Sequence, residues 1–125
     1  VGTLCYLTGL RDPEHAASGP LGGQIMETAV LSEIVKTIAH RGLDPQVYFW
    51  RTAAGSEVDI LVETEEGLVA VEVKLSGTPR PAMASSIRRL HQDFGDKAVP
   101  GYVVHPGEVR LPLGSNVTAF PFAEM

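Results

Sequence analysis

The sequence predicts an α/β fold in which a helix, three strands, a second helix and a fourth strand follow one another, ending in a short hairpin. Three observations predict it: apolar residues recur at helical spacing between Gly23 and His40, three β-branched or aromatic runs follow, and a second helical pattern begins at Pro81. At 125 residues the chain has the length of one domain with a single hydrophobic core, so we expect residues 1–125 to form one domain.

The first helix is predicted over Gly23–His40, because Gly42 lies just beyond it, where a glycine commonly ends a helix. A Pro- and Gly-rich loop over residues 11–23 precedes it. Upstream of this loop, three leucines with three-residue spacing form a weakly helical pattern: Leu4, Leu7 and Leu10.

The three strands are predicted over residues 46–52, 58–63 and 68–75, and the turn TEEG joins the last two into a hairpin. In the first strand, Tyr48, Phe49 and Trp50 are interpreted as core or interface residues.

Centring the turn on Glu65–Glu66 sets the hairpin register: Asp59 lies opposite Glu72, and Glu57 lies opposite Lys74. Because side chains alternate along a strand, we expect these four charged residues on one face of the sheet. The opposite face is then core and carries six apolar residues: Val58, Ile60, Val62, Val69, Val71 and Val73.

Two carboxylates directly opposite each other have Cβ atoms roughly 5 Å apart, and like charges at this distance are destabilising. A divalent cation would compensate, since Mg²⁺ prefers one or two carboxylates together with waters and phosphate oxygens. The alternative is a solvated strand face with a Glu57–Lys74 ion pair and a tolerated Asp59–Glu72 contact.

A third carboxylate is expected from the first helix, where Glu27 shares a face with Leu31, Ile34 and Ile38. A carboxylate on a buried stripe needs a partner or a metal ion. The alternative is that Glu27 lies in the first helical turn, interacts with the helix dipole and reaches water. Glu33 falls on the solvated side.

After the hairpin, Pro81 suits the first turn of a helix with an apolar stripe, GYVV predicts a short buried strand, and Gly114–Ser115 separates the strands of a terminal hairpin. The stripe of the second helix contains Met83, Ile87, Leu90 and Phe94. The basic residues around this helix suggest a modest phosphate-binding patch or, more simply, an ordinary solvated face: Arg80, Arg88, Arg89 and Lys97.

The net charge of −5 argues against a protein that coats nucleic acid, but not against an enzyme that meets phosphate through metal ions. Cys5 is the only cysteine, so a reducing cytoplasm is expected, and no apolar run approaches membrane-spanning length. The first residue is Val1, so we expect a fragment or a processed chain. The four histidines are not spaced as metal ligands and are expected at surface or boundary positions.

Glu27 four residues after Gly23, Asp59 on the second strand and Glu72-Val73-Lys74 on the third together resemble the PD-(D/E)XK restriction-endonuclease-like superfamily. YFWRTAAGSEVDILVE and VAVEVKLS are similar to a C-terminal domain found on many bacterial and archaeal AAA+-type ATPases, and the resemblance weakens after about residue 105. It implies an αβββαβ core with a mixed central sheet flanked by helices.

The resemblance also implies Mg²⁺- or Mn²⁺-dependent hydrolysis of DNA phosphodiesters, with Glu27, Asp59 and Glu72 as metal ligands. Lys74 would orient the attacking water or neutralise charge on the phosphate. An ATPase module is expected outside this chain, which has no phosphate-binding loop of the type G-x-x-x-x-G-K-[ST]. The alternative is a non-catalytic module on the same fold that binds nucleic acid or a protein partner of the ATPase.

Overall fold

The computed structural model describes residues 22–95, 99–114 and 116–125. The predicted Leu4–Leu10 pattern, the loop that follows it, Cys5 and His15 lie outside this part of the chain. The described residues form a mixed α/β structure with two α-helices and a six-stranded sheet. The α-helices are α1 (Gly22–His40) and α2 (Ser85–Phe94), and the strands are β1 (Val47–Arg51), β2 (Glu57–Thr64), β3 (Gly67–Val73), β4 (Gly101–His105), β5 (Leu111–Pro112) and β6 (Val117–Pro121).

The six strands lie in the order β1-β2-β3-β4-β6-β5 and form a mixed sheet. The pairs β1–β2, β2–β3 and β5–β6 are antiparallel, whereas β3–β4 and β4–β6 are parallel. The predicted element order is confirmed, and the terminal hairpin is the antiparallel pair β5–β6. Among the described helices, none is long and apolar enough to cross a membrane.

One helix covers each face of the sheet, and we name the faces after these helices. On the α1 face, Val30 packs with Ile60, Val62, Val71 and Val104. On the α2 face, the fully buried Ile87 and Leu90 pack with a separate set of strand residues: Val58, Leu61, Ala70, Val103, Val117 and Ala119. The sheet is therefore the middle layer between two apolar clusters.

Helix α1 ends where Gly42 predicts, because this residue has a φ of +75°. The N–H of Leu43 donates to the Ile38 carbonyl and that of Gly42 to the Ala39 carbonyl, the double hydrogen bond of a Schellman motif. The buried stripe of α1 runs along Met26, Val30, Ile34 and Ile38.

The predicted stripe of Glu27 and Leu31 is therefore wrong by one position: Leu31 is 36% exposed, and Glu27 lies on the half-buried flank. Successive residues of an α-helix are rotated by about 100° around its axis. The predicted stripe through Glu27 and Leu31 and the observed stripe through Met26 and Val30 therefore differ by a rotation of only about 100°. The packing against the sheet decides which stripe is buried.

The predicted second helix consists of two helical segments. Residues Pro81–Ala84 form a 3₁₀-helix, and α2 begins at Ser85. The predicted apolar stripe is confirmed, since Ile87 and Leu90 are buried while Met83 and Phe94 pack against their cluster.

Strand β1 is less buried than predicted. Trp50 packs against the α2-face cluster, with its ring edge-on to Phe94 at 6.4 Å between centroids. Tyr48 is 50% exposed and Phe49 is 71% exposed, so these two residues are not part of the core, and the interface alternative stays a prediction. The cause is the position of β1 at the edge of the sheet.

Candidate functional site

The candidate site begins at an irregularity in β2. The predicted hairpin register is confirmed, because Ile60 pairs with Val71 and Leu61 with Ala70. On the other side of β2, Tyr48 pairs with Leu61 but Trp50 pairs with Val58, so three steps along β2 match two along β1. Asp59 and Ile60 together therefore lie opposite the single residue Phe49, which is the arrangement of a β-bulge.

The bulge changes which face each side chain occupies. Val58 packs on the α2 face with Leu61, whereas Ile60 packs on the α1 face. The predictions that Val58 shares a face with Ile60, and that all four charged residues share the other, are therefore wrong. An extra residue in a strand shifts the alternation of every side chain before it by one position.

Asp59 and Glu72 are nevertheless in direct contact, at the end of the regular β2–β3 pairing. The Asp59 N–H donates to Glu72 Oε1 at 3.0 Å. In return, the Val73 N–H donates to Asp59 Oδ2 at 2.9 Å. Each carboxylate thus accepts a backbone N–H of the partner strand, and the two acids are fixed across the end of the hairpin.

Burial and the neighbouring carboxylate raise the pKa of Glu72 to about 7. The residue is 4% exposed, so water solvates its charged form poorly, and the negative charge of Asp59 adds to this penalty. The hydrogen bond from Asp59 and the nearby Lys74 act in the opposite direction without overcoming it. Glu72 therefore changes its protonation near neutral pH.

Lys74 lies just beyond the end of β3, where its backbone N–H donates to the Val104 carbonyl at 2.9 Å. Its ammonium Nζ lies 3.4 Å from Glu72 Oε2, and the Lys74 side chain is 42% exposed. The two-residue spacing places both side chains on one face, as the sequence predicts. The ammonium contacts a buried carboxylate and still reaches solvent.

Glu57 does not pair with Lys74, contrary to the ion pair expected from the hairpin register. Its carboxylate Oε2 lies 3.1 Å from Arg51 Nη2 and accepts a hydrogen bond from Arg51 Nε. Glu57 lies before the bulge in β2, so the hairpin register that sets Asp59 opposite Glu72 does not extend to it. Glu57 instead pairs with Arg51 of β1. Arg51 and Glu57 therefore form an exposed surface ion pair.

Glu27 approaches from α1, whose first turn lies beside the end of β3. A Cβ placed on Gly23 would lie 4.0 Å from Leu75 Cδ1, which is ordinary van der Waals contact. Partial burial and the charges of Asp59 and Glu57 raise the pKa of Glu27. Asp59 thus interacts electrostatically with both other predicted ligands, Glu27 and Glu72.

The structure brings two of the three predicted metal ligands into contact. Within residues 22–95, 99–114 and 116–125, no group of three or more His, Cys, Asp or Glu side chains is placed to hold a metal ion. Asp59 and Glu72 are adjacent, whereas Glu27 contributes its charge at longer range.

The two histidines near the core have structural roles. His105 is fully buried, so the surface position expected for it is wrong. Its Nδ1 accepts the Gly107 N–H at 3.1 Å, and its Nε2 lies 2.8 Å from the Val109 carbonyl. The neutral ring therefore carries its proton on Nε2 and holds the loop after β4. His91 Nε2 lies 3.1 Å from the Val99 carbonyl.

Two of the arginines around α2 have partners within the described part of the chain. Arg88 donates to the backbone carbonyls of Leu113 and Pro81, and Arg89 pairs with Asp93 at 3.4 Å. Arg80 is exposed, and Lys97 lies outside the described residues. The prediction of an ordinary helix face describes these arginines better.

A groove of about 580 Å³ lies between the C-terminal half of α1 and the sheet. Its walls are mainly apolar and include Ile34, Ile38, Val71 and Phe120. Neither Asp59 nor Glu72 lines it, so the acidic pair occupies a different part of the α/β framework.

The fold and the site define a mixed α/β domain with a carboxylate pair at the end of a β-hairpin. The chain belongs to the family described as Domain of unknown function (DUF4143), whose model matches residues 22–125. It is 31% identical over 120 residues to Uncharacterized protein Rv2008c of Mycobacterium tuberculosis and, at the same identity and length, to Uncharacterized protein Mb2031c of Mycobacterium bovis. The match covers 96% of this chain and 25% of each relative, so the chain spans about a quarter of the length of these relatives.

Proposed function

We propose that this chain is a Mg²⁺- or Mn²⁺-dependent nuclease-like domain that hydrolyses DNA phosphodiesters on a restriction-endonuclease-like core. The observation that carries the proposal is the contact between Asp59 and Glu72, with the Lys74 ammonium 3.4 Å from the second oxygen of Glu72. Two acids and an amine at one point are the groups that metal-assisted phosphodiester hydrolysis requires.

The chain would form the C-terminal part of an AAA+-type ATPase. DUF4143 domains are commonly found with AAA ATPases, and the two mycobacterial relatives have about three quarters of their length outside the matched segment. Both facts support the proposal that the activity of this domain is coupled to an ATPase module.

A divalent cation fits the electrostatics of the acidic pair. Burial beside Asp59 raises the pKa of Glu72 to about 7, although Lys74 lies nearby. A second positive charge at this position would favour the ionised form of Glu72 and offset the repulsion between the acids. Asp59 and Glu72 would hold Mg²⁺, and Glu27 would be the third acidic ligand.

When bound, the metal lowers the pKa of a coordinated water and neutralises charge on the phosphate. Asp59 is held in place by the Val73 N–H, and this backbone contact keeps its carboxylate beside Glu72. Lys74 reaches solvent from the same face as Glu72, so its ammonium is placed to donate to a phosphate oxygen or to orient the attacking water.

The test is cleavage of single-stranded, duplex and branched DNA over a titration of Mg²⁺ and of Mn²⁺. Wild type is compared with Asp59→Asn, which retains the shape of the side chain and removes its charge. Glu63→Gln is the matched control, because Glu63 is an exposed acid on the same hairpin. Metal-dependent cleavage by wild type and by the control, with at least about a hundredfold loss in Asp59→Asn, is expected. Equal behaviour of all three proteins would remove the enzymatic proposal.

A non-catalytic module that binds nucleic acid or a protein partner is the second candidate, and one observation favours it. Both oxygens of Glu72 already have partners within the protein, the Asp59 N–H and the Lys74 ammonium. The Glu72 carboxylate is therefore satisfied within the protein, which suits a structural role. Binding of DNA or of the ATPase module that is unaffected by Glu72→Gln, without metal-dependent cleavage, would favour this function.

A further inference from the structure

The chain segments that follow β3 and β4 lie side by side at one edge of the sheet. The two strands are parallel, and Val73 pairs with Val104. The Lys74 N–H then donates to the Val104 carbonyl at 2.9 Å, so the same register brings Lys74 next to His105. The loop after β4 therefore begins beside the lysine of the candidate site.

Lys74 and His105 also share a face of the sheet. Val103 packs on the α2 face and Val104 on the α1 face, so alternation along β4 returns His105 to the α2 face. Glu72 pairs with Val103, and the two-residue spacing places Lys74 on the same face as Glu72. The buried His105 is thus the neighbour of Lys74 on the adjacent strand.

His105 uses both ring nitrogens to hold the loop after β4. Its Nδ1 accepts the Gly107 N–H at 3.1 Å, and its Nε2 donates to the Val109 carbonyl at 2.8 Å. A fully buried ring with a donor on one side and an acceptor on the other has a single satisfied orientation. The backbone of Gly107 is therefore fixed relative to β4.

Gly107 in turn packs against the backbone of Gly77, the third residue after Lys74. A Cβ on Gly107 would clash with the Gly77 carbonyl oxygen and lie 3.1 Å from the Gly77 carbonyl carbon. Both neighbouring atoms belong to the backbone, so only glycine permits this approach. The loop after β4 thereby restricts the path of the chain that leaves β3.

The segment after Lys74 is held from a second side by helix α1. A Cβ placed on Gly23 would lie 4.0 Å from Leu75 Cδ1, so the first turn of α1 contacts this segment. Residues 75–77 therefore lie between α1 and the loop after β4. Their path sets the direction in which the chain leaves β3, and with it the 3.4 Å contact of the Lys74 ammonium with Glu72 Oε2.

We propose that His105 is a positioning residue of the candidate site: through Gly107 and Gly77 it fixes the strand end from which Lys74 reaches Glu72. The inference rests on the proposed function and adds a residue to it. His105 itself contacts neither the metal nor the phosphate, because both of its nitrogens are bonded to the backbone. Its effect on the reaction passes entirely through the placement of the Lys74 ammonium.

Two substitutions separate the two contacts of the ring. In His105→Asn, the side-chain oxygen replaces Nδ1 and still accepts the Gly107 N–H. In His105→Gln, the amide nitrogen replaces Nε2 and still donates to the Val109 carbonyl. The proposal requires the Gly107 contact, so His105→Gln should lower kcat for Mg²⁺-dependent DNA cleavage by about 10- to 100-fold with little change in KM. His105→Asn should stay within about threefold of wild type.

This order distinguishes positioning from filling of the core. If His105 only occupied volume, the larger glutamine would be the milder replacement and asparagine the more damaging one. A greater loss of kcat in His105→Asn than in His105→Gln would therefore overturn the inference. Circular dichroism verifies that each variant is folded at the temperature of the assay.

A second measurement does not depend on cleavage. Each protein is treated with a limiting amount of sulfosuccinimidyl acetate, and mass spectrometry gives the acetylation rate of Lys74 relative to Lys36, whose side chain is 67% exposed. Loss of the contact with Glu72 frees the Lys74 amine, so His105→Gln and Gly107→Ala should raise this ratio by about threefold, the effect of losing a partly exposed ion pair. His105→Asn should leave it unchanged.

His91→Gln is the matched control, because His91 Nε2 also lies 3.1 Å from a backbone carbonyl, that of Val99, but on helix α2. It should change neither kcat nor the acetylation ratio. Equal acetylation ratios in wild type, His105→Gln and Gly107→Ala, or an equal rise in His91→Gln, would overturn the inference.

Failure of the proposed function gives a different result. In that case wild type shows no metal-dependent cleavage, while the acetylation of Lys74 still depends on His105 and Gly107. The positioning of Lys74 by His105 would then stand, and the hydrolysis of DNA would be removed.

Discussion

Asp59 and Glu72 are connected through the backbone, because the Asp59 N–H donates to the Glu72 carboxylate at 3.0 Å while the Asp59 carboxylate accepts the N–H of Val73 at 2.9 Å. Each acid therefore satisfies a backbone donor of the other strand where the regular pairing ends. The hairpin holds the two acids side by side, and the charge of Asp59 contributes to the raised pKa of Glu72.

The raised pKa of Glu72 predicts that the fold loses stability between pH 4.5 and about 7 in a chelator-containing buffer. In this window the folded protein binds the Glu72 proton more tightly than the unfolded chain, so the free energy of unfolding decreases as the pH rises. The full penalty, on the order of 3 kcal/mol, is present above pH 7. Urea unfolding of wild type and Glu72→Gln measures it.

In Glu72→Gln, the free energy of unfolding should decrease less between pH 5 and pH 8 than in wild type. Glu27 also has a raised pKa and remains in the variant, so part of the pH dependence persists. Glu63→Gln should follow the wild-type curve, since Glu63 is exposed. The assignment of the pH dependence to Glu72 fails if both glutamine variants have the same profile.

Mg²⁺ should stabilise the fold, and more strongly at pH 8 than at pH 6, because its binding to the acidic pair requires Glu72 to be ionised. A ligand at a hundred times its Kd adds about 2.7 kcal/mol to the free energy of unfolding. Thermal unfolding of wild type with and without Mg²⁺ at the two pH values gives this difference.

Asp59→Asn should abolish this stabilisation, and Glu27→Gln should reduce it by a smaller amount, because Glu27 lies farther from the pair. Glu33→Gln is the control, since Glu33 is on the same helix and pairs with Lys36 at 3.7 Å. Equal stabilisation of all four proteins by Mg²⁺ would mean that the ion binds elsewhere.

Leucine-to-alanine substitutions test which side chains of α1 and α2 are buried, because the loss of unfolding free energy is larger for a buried leucine than for an exposed one. Leu90→Ala removes a fully buried side chain and should destabilise the fold by about 2–5 kcal/mol. Leu31→Ala removes a side chain that is 36% exposed and should cost less than about 1 kcal/mol. If chemical denaturation showed similar losses of unfolding free energy in both variants, Leu31 would have to be assigned to the core.

The sequence predicts the hairpin well, because its register depends only on the turn and on alternation. The contact between Asp59 and Glu72 follows from that register, and the shared face of Glu72 and Lys74 follows from their spacing. These are local properties of two strands joined by the two-residue turn Glu65–Glu66.

The bulge at Asp59–Ile60 was not predictable in the same way, because it depends on how β1 packs against the hairpin. Because of the bulge, Val58 packs on the α2 face and Glu57 lies opposite Arg51. The prediction had treated β2 as a regular strand and therefore assigned both side chains to the wrong face. The rotation of α1 is also a tertiary property: the sequence permits both the Leu31 and the Val30 stripes, and only the sheet selects Val30.

Gly101 lies at the start of β4 against Ile87 of α2, and its replacement by alanine should destabilise the fold by about 1–3 kcal/mol. A Cβ at this position would lie 2.7 Å from Ile87 Cγ2 and 3.1 Å from the Ala70 carbonyl oxygen. The first contact is with a fully buried side chain and the second with backbone, so neither neighbour moves away freely.

Gly77→Ala is the control for this substitution, because the nearest atom to its Cβ would be Gly107 Cα at 3.8 Å. It should leave the free energy of unfolding within about 0.5 kcal/mol of wild type. The double variant Gly101→Ala/Ile87→Ala separates the mechanism from a general loss of stability. It should cost less than the sum of its two single variants, because alanine at position 87 lacks the Cγ2 methyl that the added Cβ would meet at 2.7 Å. Strict additivity of the two losses would contradict crowding between α2 and β4 as the cause.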